Sequence, residues 1–135
     1  MPNMDQALVS RLEDFAGLAS LISKRVYPVV LKQGATIPAV VYQRIGTGSS
    51  QAHGQAAALP RVRYQITSFG SSLSEAKAVA AQVKLALDGQ HAAYWGSGTY
   101  RTWIEASLWK DESDAVEAEV GLYYVQQDFL IQHRD

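Results

Sequence analysis

In residues 61–89 the hydrophobic period changes once, from two to about three and a half, and no other feature constrains the fold as tightly. The stretch RVRYQITSF sets Val62, Tyr64 and Ile66 against Arg61, Arg63, Gln65 and Thr67, the alternation of a strand with one buried face. Beyond Gly70, Ser72 and Glu75 stand at capping-box spacing, Leu73, Ala76, Ala80, Val83 and Leu87 share one helical face, and Gly89 sits where a C-terminal glycine closes a helix. The spacing therefore predicts a strand over 61–69 followed by a helix over 72–88.

The remaining segments are read by the same two periods. Leu8, Leu12, Phe15, Ala19 and Ile22 form one apolar stripe, predicting a single helix over 4–22 with Asn3 as N-cap and Gln6 in capping-box position. Residues 24–38, punctuated by Pro28, Gly34 and Pro38, read as an extended connection. AVVYQRI predicts a strand over 39–45 that pairs with 61–69 as a hairpin. The small and polar 46–59 between them reads as a flexible loop. Residues 90–99 read as a glycine-bearing turn.

Thr102, Ile104, Ala106 and Leu108 then alternate against Arg101, Trp103, Glu105, Ser107 and Trp109, predicting a strand over 100–110. The acidic run DESDAVEAE at 111–119 separates it from a last strand over 121–133. The expected fold is α+β in the order α-β-β-α-β-β: two helices packed on one face of a mainly antiparallel four- to five-stranded sheet.

At 135 residues the chain is one domain long. Net charge is −1 and there is no cysteine, so bulk charge gives no reason for polyphosphate binding, and thiolate chemistry and disulfides are excluded. No signal-like or membrane-spanning run is present, which predicts an aqueous, intracellular setting.

Signals for catalysis are weak. His53, His91 and His133 are too dispersed for a zinc motif and read as exposed or loop histidines. Gly46-Thr47-Gly48 and Gly96-Ser97-Gly98 lack the full phosphate-loop pattern. Ser49, Ser50 and His53 share a loop but no nucleophile elbow presents them. Glu105, Asp128 and the acidic run are carboxylates without a defined pairing. No catalytic, cofactor or metal residue is assigned.

The second sheet face is unusual. Arg61, Arg63, Arg101, Trp103 and Trp109 share the face opposite the apolar set, and arginine and tryptophan are the types enriched where proteins meet. These residues, with Arg44 and Asp128, form the candidate interface, and Gly46, Gly48, His53 and Gly54 mark a candidate docking loop. Residues 24–101 hold nine basic side chains against Glu75 and Asp88, while 111–119 is wholly acidic. One copy's basic surface can thus meet its neighbour's acidic one in a head-to-tail contact. A nucleic-acid or small-ligand module using the same arginine and aromatic face is the alternative.

RVYP (25–28), IPAVVY (37–42), the strand and SxxEA helix ending LDG (61–89), and the closing GLYYVQQDFLIQHR (121–134) with its QDF form an ordered set. That set resembles the tail-completion, or tail-terminator, proteins of long-tailed phages. The resemblance implies a small α+β subunit that assembles as a homo-oligomer, typically a hexameric ring, on the head-proximal end of a tail tube. Its implied partners are the major tail tube protein and a head-completion or neck protein, with no enzymatic activity, no cofactor, no membrane and no sequence-specific nucleic acid. The implied location is the head-tail junction of a virion, prophage or related tail-derived particle made in a bacterial cytoplasm.

Overall fold

The computed structural model describes residues 4–31, 34–49, 60–96, 98, 101–117 and 122–134. Helices α1 (Met4–Asp14) and α2 (Ala16–Ile22) lead into the short strand β1 (Val26–Pro28). Then follow β2 (Ala39–Ser49), β3 (Pro60–Gly70), α3 (Leu73–Leu87), β4 (Gln90–Trp95), β5 (Thr102–Glu117) and β6 (Leu122–Arg134). The strands form one sheet in the order β1-β2-β3-β6-β5-β4. All neighbours are antiparallel except β1 and β2. The fold is α+β as expected, with three helices on a six-stranded mixed sheet in place of two helices on four or five strands.

The centre follows the sequence pattern. β3 and β6 pair without interruption from Arg61 opposite Gln132 to Gly70 opposite Tyr123. Directly opposed residues share a face, so Val62, Tyr64 and Ile66 meet Phe129 and Ile131 beneath the helices, all buried. Leu8 and Leu12 of α1, Leu18 and Ile22 of α2, and Val79, Val83 and Leu87 of α3 complete this core. Ser72 caps α3 by accepting from the Glu75 backbone N–H at 3.1 Å, and Glu75 accepts from the Ser71 N–H at 2.8 Å. At Gly70 a Cβ would stand 2.7 Å from the Ala76 backbone nitrogen, so only glycine lets β3 turn this closely into α3.

The differences lie at the margins. Phe15 is extended and splits the expected single helix in two, its carbonyl accepting from the N–H groups of Leu18 and Ala19. Arg11 closes over the Phe15 ring and donates from Nε to the Ala86 carbonyl at 2.8 Å. Tertiary contacts thus hold a break that helical spacing alone does not show. β1 and β4 were expected as connection and turn: β1 is three residues long and ends on a proline, and β4 has no clear alternation of burial. The strand expected over 39–45 runs to Ser49, so Gly46 and Gly48 are not in a loop but paired with Arg63 and Arg61. His53 and Gly54 lie outside the described residues, as does Asn3.

The acidic run is also reassigned, because 111–117 continues β5 in register with β6. Two bulges, between Ile104 and Ala106 and between Trp109 and Asp111, change the phase of that strand. Thr102 and Ile104 face the helices as expected, whereas beyond the first bulge Ser107 and Trp109 do so, and Leu108 turns outward at 46% exposure. His133 is another correction: it is buried on the helix side of β6, opposite Ile104.

Replacing Gly70 by alanine should cost about 2 kcal/mol or more, because backbone must move, whereas Ser72→Ala should cost about 1 kcal/mol for the lost cap. Urea denaturation of the two variants against the parent checks both values.

Candidate assembly surface

The sheet face away from the helices is the candidate surface, and its residues follow from strand parity. Along β3 it presents Arg61, Arg63, Gln65 and Thr67, and along β6 Gln132, Leu130, Asp128 and Gln126, each the partner of the other in that order. Arg61 and Arg63 are exposed and Asp128 is half-buried. β5 adds Trp103, opposite Arg134, and Asp111, opposite Asp128. The sequence-predicted Arg61, Arg63, Trp103 and Asp128 are therefore brought onto one face.

At one corner Trp103 forms an aromatic pair with Tyr94 of β4, edge to face at 4.9 Å between centroids. The Arg101 guanidinium lies 3.6 Å from the Tyr94 centroid, a cation–π geometry. Tyr94, Arg101, Trp103 and Arg134 together line a shallow depression of about 260 Å³. Trp103 donates its indole N–H to Glu105 Oε2 at 2.9 Å, which gives that carboxylate a positioning partner. Arg134 and Tyr94 were missed in the sequence. Arg134 shares the parity of Asp128 and was legible by counting along the last strand; Tyr94 gave no signal because its strand did not.

Next to the two arginines, Asp111 and Asp128 stand directly opposite each other, a like-charge cross-strand pair. Farther along the same face, the chain after β1 crosses the sheet. Val29, Leu31 and Ile37 roof a cavity of about 590 Å³ floored by Val41, Thr67, Phe69 and Tyr124. Thr67 is consequently buried at 8% exposure despite its outward parity. The segment after β1 therefore covers the far end of this face and not the Trp103 corner.

Two sequence-predicted interface residues lie on the other side. Trp109, re-aimed by the first bulge, packs against the core and under the Lys84 ammonium, 3.9 Å from the ring centroid. Its backbone N–H donates to Asp88 Oδ1 at 2.9 Å. Arg44 shares the helix side with its partner Tyr64. It donates to Asp5 Oδ1 of α1 at 3.0 Å and to the Tyr64 hydroxyl at 3.2 Å, and the Tyr64 hydroxyl donates to Asp5. Burial first, and the Asp5 hydrogen bond second, push the Tyr64 phenol well above its ordinary value.

The acidic residues of β5 on the helix side are engaged too. Gln127 donates from Nε2 to Glu112 at 2.9 Å and to the Ala80 carbonyl at 3.1 Å, and Asp114 pairs with Lys77 of α3 at 3.0 Å. His91 is exposed on β4. Among the described residues no group of three His, Asp or Glu side chains is placed to hold a metal, and no helix is long and apolar enough to cross a membrane.

The family described as Tail completion protein gp17 matches residues 6–132. The chain belongs to this family. It is therefore a structural protein of a phage-type tail, as the ordered motifs implied. Among solved structures, a chain from "Virion of native gene transfer agent (GTA) particle" superposes with a TM-score of 0.68 at 17% identity, covering 95% of this chain and 92% of that one. At that identity the likeness speaks for the fold. No curated protein matches the chain.

Two measurements check the placement. Trp109→Ala should destabilise the subunit by about 2 kcal/mol or more through lost packing, while Trp103→Ala should leave unfolding nearly unchanged; denaturant titration separates them. Stability should also fall as pH rises above about 10, the ordinary tyrosine value, because the unfolded phenol ionises there and buried Tyr64 resists doing so. Tyr64→Phe should cost about 0.5–1.5 kcal/mol at neutral pH. It should also shrink that alkaline loss, leaving the smaller contribution of Tyr42, whose phenol is raised by burial and by Asp5.

Proposed function

We propose that this tail completion protein forms a homo-oligomeric ring on the head-proximal end of a tail tube, stops tube growth there, and presents a docking surface to a head-completion or neck protein. The observation that carries the reading is the charge polarity of the open sheet face. Arg61, Arg63, Arg101, Trp103 and Arg134 occupy one end, and Asp111 and Asp128 lie beyond them. A face that is basic at one end and acidic farther along is complementary to a displaced copy of itself, which makes a head-to-tail contact that closes into a ring when the rotation allows.

Affinity in this arrangement comes from the aromatic corner and orientation from the charges. Exposed ion pairs contribute only about 0–1 kcal/mol each, whereas a tryptophan at the centre of an interface contributes about 2 kcal/mol or more. Arg44 stands outside the docking surface, since its guanidinium is already committed to Asp5 and Tyr64. Trp109 likewise serves the subunit's own core.

Light scattering of the purified protein, alone and with polymerised tail-tube protein, tests the proposal. A ring-sized mass, free or only on the tube, is the expected result; a strict monomer that ignores the tube overturns it. Arg61→Glu with Arg63→Glu should abolish assembly, and adding Asp111→Lys with Asp128→Lys should restore it in part.

A further inference from the structure

Each outer edge of the sheet is covered along only part of its length, and the two uncovered parts are complementary. β1 pairs with β2 only at Val40, Val41 and Tyr42, leaving the outer edge of residues 43–49 without a neighbouring strand among the described residues. β4 pairs with β5 only from Thr102 to Ser107. The end of α3 then reaches β5 once more, where Asp88 takes the Trp109 N–H, and residues 110–117 have no outer strand among the described residues. Among the described residues one edge is thus open for seven residues and the other for eight. A row of N–H and C=O groups with no strand partner is a template for another strand; of the row on β5, the Glu112 N–H is held by the Asp111 carboxylate at 2.8 Å.

Their positions interlock. Through β3 and β6 the covered Val40–Tyr42 stands level with residues 112–114 of β5, the open part of the far edge. The covered part of β5 stands level with the open end of β2 in the same way. When a second copy is set beside the first with its strands displaced by about half a strand length, β1 comes level with only the last residue, Glu117, of the neighbour's β5. The neighbour's β4 passes beyond the end of β2. Neither covering strand obstructs the seam.

From this we infer that residues 110–116 of one copy pair antiparallel with residues 43–49 of the next, joining their sheets into one; the inference rests on the ring reading above and names its seam. The direction follows from the alternation β2 up, β3 down, β6 up, β5 down. Register follows from the faces: Gly46 opposes Arg63 and Ser113 opposes Gln126, so both lie on the open face. Setting them opposite each other centres the two open edges and keeps the open faces on one side. Asp111 then falls opposite Gly48, whose partner within the subunit is Arg61. With glycine at 46 and 48, no side chain stands between that acidic residue and the two exposed arginines.

The absence of cysteine from the chain permits a direct test with Gly46→Cys and Ser113→Cys. A Cβ at Gly46 meets nothing within 4 Å and its φ is not positive, and Ser113 is exposed, so both subunits should fold. Within one subunit the sites lie three strand spacings apart across the sheet, about 14 Å, and are offset along it as well, beyond disulfide reach. Single-cysteine proteins are mixed, free or on polymerised tail-tube protein, oxidised mildly, and followed by non-reducing gel and by mass.

The expected result is cross-linking in the mixture and in neither protein alone, several-fold faster than with Asp111→Cys in place of Ser113→Cys. Faster reaction from Asp111→Cys overturns the register. A full-sized oligomer with no cross-link from either position overturns edge pairing and leaves the ring reading standing. No oligomer under any condition overturns both.

Discussion

Everything in this subunit is referred to the uninterrupted pairing of β3 with β6. Ten successive residue pairs run from Arg61–Gln132 to Gly70–Tyr123 without a bulge. With a side-chain period of two, a slip of one residue there would turn the faces of one strand over relative to the other. Were β3 the strand that turned, Tyr64 and Ile66 would face water and Arg61 and Arg63 would lie under the helices; were it β6, Phe129 and Ile131 would face water. Fixed register makes α3 the natural cover, since Gly70 turns β3 directly into it and Gln127 of β6 donates to its Ala80 carbonyl.

Away from this pair the structure adjusts by local irregularity. β2 carries a bulge between Arg44 and Gly46, and β5 carries two. Each shifts which side chains point where, so one strand can serve different demands along its length. The first bulge of β5 keeps Trp103 on the open face and moves Trp109 beneath Lys84. Farther along β5, Glu112 and Asp114 reach Gln127 and Lys77 on the helix side while Asp111 remains outward. The acidic run is thereby part structural and part surface.

A subunit that assembles as proposed must stay folded while presenting groups to a partner. Here the two demands are divided by face. The helix side holds the buried core and the Asp5–Tyr64–Arg44 cluster that ties the first turn of α1 to the sheet. The open side holds the Trp103 corner, the arginines and the opposed Asp111–Asp128 pair, none of which the core requires. Family membership as a tail completion protein makes the chain a structural protein of a tail.

The amino-acid sequence by itself determined the local elements with strong periodicity. These are the strand over 61–69, the capped helix after it, the last strand, the hairpin, the α+β class, and, through ordered motifs, the family. The shared face of Arg61, Arg63, Trp103 and Asp128 was legible because each lies on a stretch whose alternation is unbroken up to that residue. Trp109 was not, since a bulge is one extra residue held by its neighbours and leaves no mark in the alternation. Arg44 was not, because its face follows from the strand but its partner, Asp5, is set by where α1 docks. Only the tertiary structure decided the break at Phe15, the short edge strands β1 and β4, and the inclusion of the acidic run in β5. These elements are held by contacts between segments distant in the chain, and no local propensity records them.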